Sequence, residues 1–196
     1  MTWTIETKLL SLVGVAGHLY LEIFNDAGER VIQVNGFAAD PKTLRPRSVG
    51  LPGDFLKAYV SKTDILEESA GGVRDHHPHP GRVLFEGSKE DVLKAIKAAQ
   101  EAAEKINSLG LRYHLFTQNS NSVFMYVVEA ISNVLPLKLA LLQEMIDMKL
   151  MLPGINKQID GKGGYPSLKK RFNEAGKKKQ ARVHRKIKRK LPQPKP

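Results

Sequence analysis

A serine framed by asparagines, Asn119-Ser120-Asn121-Ser122, stands directly ahead of the apolar run Val123–Ile131. If that run is a helix, Ser120 sits at its N-terminus, where backbone N–H groups lack intrahelical partners and the helix carries partial positive charge. A nucleophile placed there has its anionic form stabilised, and the nearby N–H groups can receive the oxyanion of an acyl intermediate. Asn and Ser are also favoured N-caps, so the same four residues can serve as capping alone. A second cluster, Asp75-His76-His77-Pro78-His79, has zinc-ligand types. Its density, with a proline inside it, suits an exposed loop better than one tetrahedral metal site. We therefore expect no metal and no cofactor.

The elements that must position Ser120 are read from periodicity. His18–Phe24 and Glu29–Phe37 are rich in β-branched and aromatic residues, with Asn25-Asp26-Ala27-Gly28 between them, and read as an antiparallel hairpin. Asp54–Val60 and Arg82–Glu86 are further short strands, and Arg112–Phe116 is another candidate. Ser88 followed by Asp91 forms a capping-box signature ahead of Val92, Ala95, Ile96, Ala99, Ala103 and Ile106, which recur at helical spacing until Gly110. Asn121–Asn133 reads as a second helix with Phe124, Val127, Val128 and Ile131 on one face. Pro136–Leu150 reads as a third, ended by Pro153-Gly154. Leu9–Gly17 has the length of a signal-peptide core, but Glu6 before it has the wrong sign, and a buried strand or helix is the better reading.

Charge divides the chain in two. From Lys162 to Pro196 there are 14 Lys and Arg against Glu174 alone, while the preceding residues carry 17 bases and 19 acids. This predicts a near-neutral domain over 1–160 and a basic extension over 161–196, hinged near Gly161–Gly164. Lys177, Lys178, Lys179, Arg182, Arg185 and Lys186 form a polycation suited to an acidic or nucleic-acid-associated partner. The last aromatic residue is Phe172, which disfavours base stacking. Val183, Ile187 and Leu191 recur every four residues, a stripe that could also lie on an anionic membrane surface. No apolar run approaches the roughly 18–20 residues of a membrane span. The chain contains no cysteine, so disulfides and thiolate metal sites are excluded.

Tyr113-His114-Leu115-Phe116-Thr117-Gln118-Asn119-Ser120-Asn121 resembles the cysteine motif of the PPPDE family of permuted papain-fold peptidases, approximately Y-x-L-F-x-x-N-C-N-x-F. Ser120 takes the cysteine position, and the family's phenylalanine falls on Val123, one place before Phe124. Gly17-His18-Leu19-Tyr20-Leu21-Glu22-Ile23 resembles the family's upstream histidine strand. NlpC-type hydrolases share these parts and add a polar residue on the following strand, here Gln33, or Asn35 on the same face. The two segments cover about 35 residues.

The resemblance implies an α+β, papain-like permuted fold, in which a small antiparallel sheet packs on the helix that bears the nucleophile. It implies a cysteine peptidase or amide hydrolase acting on a protein substrate. His18 would be the base, Gln33 or Asn35 its orienting partner, and the Ser120 N–H with neighbouring Asn119 or Asn121 the oxyanion donors. His114 is a rival base by proximity, although its strand-to-loop position favours a solvent-facing role. A serine hydroxyl in a site shaped for Cys–His has little anionic character at neutral pH. Three origins are open: a cysteine-to-serine change at position 120, which the absence of cysteine leads us to favour; a native serine activated by His18; or a fold without catalysis. A silenced catalytic domain of a bacterial toxin or effector, met by an inhibitor or immunity protein, fits these features. Its setting would be cytoplasmic, or a target cell reached without a classical signal peptide. A peptidoglycan amidase of NlpC type and a non-catalytic nucleic-acid-binding module acting through the tail are the alternatives.

Overall fold

The computed structural model describes residues 1–12, 16–47, 50–62 and 80–147. The basic extension, the Asp75–His79 cluster and residues 148–150 of the expected third helix lie outside them; within them that helix is shorter than expected, Leu139–Ile146 with Asp147 as its C-cap. Among the described residues the architecture is α+β: one six-stranded antiparallel sheet and three helices. In chain order these are β1 (Trp3–Leu12), β2 (Ala16–Phe24), β3 (Arg30–Ala39), β4 (Pro46–Arg47), β5 (Phe55–Ser61), β6 (Gly81–Gly87), α1 (Lys89–Ser108), α2 (Ser120–Ser132) and α3 (Leu139–Ile146). No helix among the described residues is long and apolar enough to cross a membrane.

The hairpin turn is where Asn25 and Gly28 require it. Asn25 Oδ1 accepts from Ala27 N and Glu29 N, and Gly28 adopts φ +78°, a left-handed conformation that costs glycine least. Leu9–Leu12, the apolar stretch near the start, is the second half of β1. That strand pairs with β2 (Leu9 opposite Leu19, Ile5 opposite Ile23) and on its other side with β6. The strong alternation of β2 and β3 sorts their side chains. Leu19, Leu21, Ile23, Ile32 and Val34 join one apolar face with Ile5, Leu9, Leu56 and Ala58, which α1 and α2 cover. His18, Tyr20, Glu22, Gln33, Asn35 and Phe37 share the opposite face, and all six are buried as well. A sheet buried on both faces puts its polar residues where they need partners.

α1 follows the expected cap: Ser88 Oγ accepts from Asp91 N at 3.1 Å. The Asp91 side chain does not reach back to the backbone but accepts from the Ser88 hydroxyl at 2.9 Å. α2 buries Phe124, Val127, Val128 and Ile131, the face that its spacing predicts. Arg112–Phe116 departs from expectation. Only Arg112 bridges a strand residue, Phe55, and the following residues turn, with His114 N donating to Gln118 O and Thr117 N to His114 O. Among the described residues no strand continues the ladder past Arg112, and Leu115 and Phe116 stay outside the sheet.

Candidate active site

The sheet contains a gap, and the start of α2 fills it. The β2–β3 ladder runs inward from Phe24 and Arg30 and ends at Leu21 opposite Val34. Further along β3, β4 pairs only with Ala38 and Ala39. Between them, Asn35, Gly36 and Phe37 keep β5 on one side, while on the other β2 has parted from them. The backbone groups that β2 would have given to β3 go to a side chain instead. Leu19 N donates to Asn121 Oδ1 and Asn121 Nδ2 donates to Gly17 O, both at 3.0 Å. The amide of the second residue of α2 therefore brackets His18 from both sides along its own strand.

Gly36 makes the other half of the fit. A Cβ there would lie 2.9 Å from Ser120 Cα, 2.9 Å from Ser120 O and 2.6 Å from Val123 Cβ. Real Cβ atoms are not found so close to backbone, so only glycine lets the helix start rest on β3 at this point. Ser120 is thus seated on the strand residue between Asn35 and Phe37, and Asn121 is bonded to the strand residues on either side of His18.

The imidazole is held firmly. His18 Nε2 and Asn35 Oδ1 are 2.9 Å apart, and both residues are buried, at 3% and 1% exposure. An amide oxygen only accepts, so Nε2 carries the proton in this hydrogen bond. The Phe37 ring stacks on the imidazole, with centroids 5.1 Å apart and planes 18° off parallel, and Tyr20 flanks it at 6.1 Å. Of the two amides proposed to orient the ring, Asn35 is placed to do so. Gln33, fully buried two residues earlier on β3, donates to Glu22 Oε1 at 3.3 Å, and Glu22 also pairs with Arg30 at 2.9 Å. Asn35 Nδ2 is buried without a hydrogen-bond partner.

The Asn119–Ser122 segment itself is a framework. Asn119 Oδ1 caps α2 by accepting from Asn121 N and Ser122 N, and Ser122 Oγ accepts in return from Asn119 N at 2.9 Å, which completes a capping box. Asn119 Nδ2 donates to Leu115 O, tying the preceding turn to the helix. Both asparagines expected beside an oxyanion are therefore engaged in positioning: Asn119 holds the helix start and Asn121 holds β2. The N–H groups of residues 121, 122 and 123 are engaged by Asn119 as well. That leaves the Ser120 N–H as the first-turn donor for an oxyanion. Ser120 is only half-buried, in contrast to the residues around it. His114 is exposed on its turn.

The residues missed by sequence reasoning are Gly36 and Phe37, whose roles follow from the strand gap. The signal available was the glycine inside an alternating strand, which marks a close backbone approach. Among the described residues, no group of three or more His, Asp or Glu converges on a site for a metal ion. The basic residues Lys177, Lys178, Lys179, Arg182, Arg185 and Lys186 lie outside the described residues.

The fold and this corner define an α+β protein with a buried His–Asn pair beside a capped helix start. No protein-family model matches the chain, and neither a curated protein nor a solved structure matches it.

Proposed function

We propose that the protein is a papain-like amide hydrolase of permuted order, in which His18 precedes a nucleophile at position 120 and the substrate is a protein. The observation that carries this reading is the buried His18 Nε2–Asn35 Oδ1 hydrogen bond, set beside the start of the helix that bears Ser120. A neutral imidazole that donates its Nε2–H to an amide oxygen keeps a basic Nδ1, and the ring of His18 is locked by that bond and by the Phe37 stack. This is the relation of base and orienting group that nucleophilic acyl transfer requires.

The chemistry follows from these parts. His18 Nδ1 takes the proton from the side chain at position 120 as its oxygen or sulfur attacks the carbonyl carbon. The carbonyl π pair moves onto oxygen, and the Ser120 N–H at the positive end of α2 stabilises the oxyanion. Collapse breaks the C–N bond, and the imidazolium returns its proton to the leaving amine. Water then attacks the acyl intermediate with His18 again as base, and collapse breaks the bond to the position-120 side chain, which takes the proton back from the imidazolium. With a thiol at position 120 the nucleophile ionises readily in such a site. With the hydroxyl this chain carries, the same geometry supports far slower acyl transfer.

The test uses the absence of cysteine. Ser120→Cys introduces the sole thiol of the chain, so labelling by iodoacetamide reports one position. We expect labelling at neutral pH to outpace an unstructured thiol, and His18→Ala in that background to slow it by about 10²-fold or more. A thiol at position 120 that reacts like a free cysteine, indifferent to His18, overturns the reading.

A further inference from the structure

Leu115 and Phe116 are 51% and 68% exposed, on the exposed turn that leads into the capped helix start. Their exposure is imposed by a hydrogen-bonded turn. Tyr113 N donates to Asp54 O at 2.9 Å, His114 N to Gln118 O at 2.7 Å and Thr117 N to His114 O at 3.1 Å. Asn119 Nδ2 then secures the Leu115 carbonyl. The Tyr113 ring anchors the turn to the 50–54 loop, where a Cβ on Gly50 would lie 2.3 Å from it. Two large apolar side chains are therefore presented to solvent on a framework that is continuous, through Asn119, with Ser120.

We infer that Leu115 and Phe116 form an apolar subsite that selects a large hydrophobic residue of an extended polypeptide substrate within a few positions of the cleaved bond. This rests on the hydrolase reading and names the substrate feature that the same site recognises. The spacing carries it. Asn119 spans from the Leu115 carbonyl to the N–H groups that follow Ser120, so the turn lies within a few residue lengths of the reacting atoms. An extended peptide advances about 3.3 Å per residue. A substrate with its scissile carbonyl at Ser120 would thus lay a side chain some two to four residues away onto Leu115 and Phe116. Contact with an apolar side chain removes both partners from water, whereas a polar side chain there gains nothing.

The experiment uses the full chain carrying Ser120→Cys and a pair of peptidyl chloromethyl ketones. The two differ only in having Phe or Ser three residues from the reactive carbon. Rates are divided by the iodoacetamide rate of the same variant. We expect the Phe probe to react about tenfold or more faster than the Ser probe. The ratio should fall towards one in Phe116→Ser and in Leu115→Ser, with circular dichroism verifying each fold. Equal rates for the two probes in the parent, or a ratio untouched by both substitutions, overturn the subsite. So does a turn that instead drives sedimentation with phosphatidylglycerol vesicles without discriminating the probes. Failure of the hydrolase reading is separately visible, because iodoacetamide labelling would then not depend on His18.

Discussion

Replacing Asn121 by alanine tests the wedge on which the site is built. In the structure its amide is the partner of two buried β2 backbone groups, Leu19 N–H and Gly17 C=O, each at 3.0 Å, from more than 100 residues away in sequence. Alanine leaves both groups where β3 has already parted and cannot take them. A buried donor or acceptor left unpaired costs about 1–3 kcal/mol, so the pair is worth roughly 2–6 kcal/mol. That is a large part of the about 5–15 kcal/mol that holds a typical domain folded. With a urea m-value of about 2 kcal/mol/M, the midpoint should fall by roughly 1–3 M. Asn121→Asp sharpens the test. It keeps the acceptor for Leu19 N–H but sets a carboxylate oxygen against the Gly17 carbonyl. At neutral pH it should destabilise at least as much as alanine. The introduced carboxyl favours its protonated form in the fold, so its folded-state pKa is raised, and the variant should regain stability as pH falls through that raised pKa, the recovery being complete at the unfolded carboxylate range. Both can be read by urea unfolding followed by circular dichroism. An alanine variant with an unchanged midpoint, or an aspartate variant without the acid recovery, would refute the idea that this amide closes the gap between the strands.

Other outcomes follow from the same geometry. Gly36→Ala drives a Cβ against the Ser120 and Val123 backbone and side chain, and should cost about 1–3 kcal/mol by overpacking, together with a loss of position-120 reactivity in the Ser120→Cys background. Asn119→Ala removes the cap of α2 and should cost about 1 kcal/mol, measured by thermal or urea unfolding. Burial first, then the nearby Asp54 carboxylate, pushes the Tyr113 phenol above its ordinary range. The folded state thus holds that proton more tightly than the unfolded chain, and stability should be full below about pH 10 and decline as pH rises above it. Tyr113→Phe should flatten that alkaline decline in urea titrations.

Much of the candidate site is visible in the order of residues. The alternation of His18, Tyr20 and Glu22 with Leu19, Leu21 and Ile23 already separates a polar face from an apolar one, and it puts Gln33 and Asn35 on a common face of the next strand. The position of Ser120 at a helix start follows from Asn119 as cap and Phe124–Ile131 as buried face. The choice between Gln33 and Asn35 was not legible, because it depends on where β2 leaves β3. That departure is a tertiary event, set by the docking of α2. The Asn121 contacts were hidden for the same reason: an asparagine inside a helix start looks like part of a cap, and its true partners lie about a hundred residues upstream. Arg112–Phe116 reads as a strand by composition because β-propensity reports half-buried apolar side chains. Here the pairing with β5 is a single bridge at Arg112, and Leu115 and Phe116 face solvent on a turn.

Because a side chain of α2, and no strand, holds the Leu19 amide, that single proton is a spectroscopic witness to the integrity of the corner. The β2 amides that face β1, and those from Leu21 onward that face β3, are shielded by the sheet, but this one exchanges with solvent whenever the helix start lifts away. Its deuterium uptake, followed residue by residue, would time the opening and closing of the cleft without substrate, inhibitor or label.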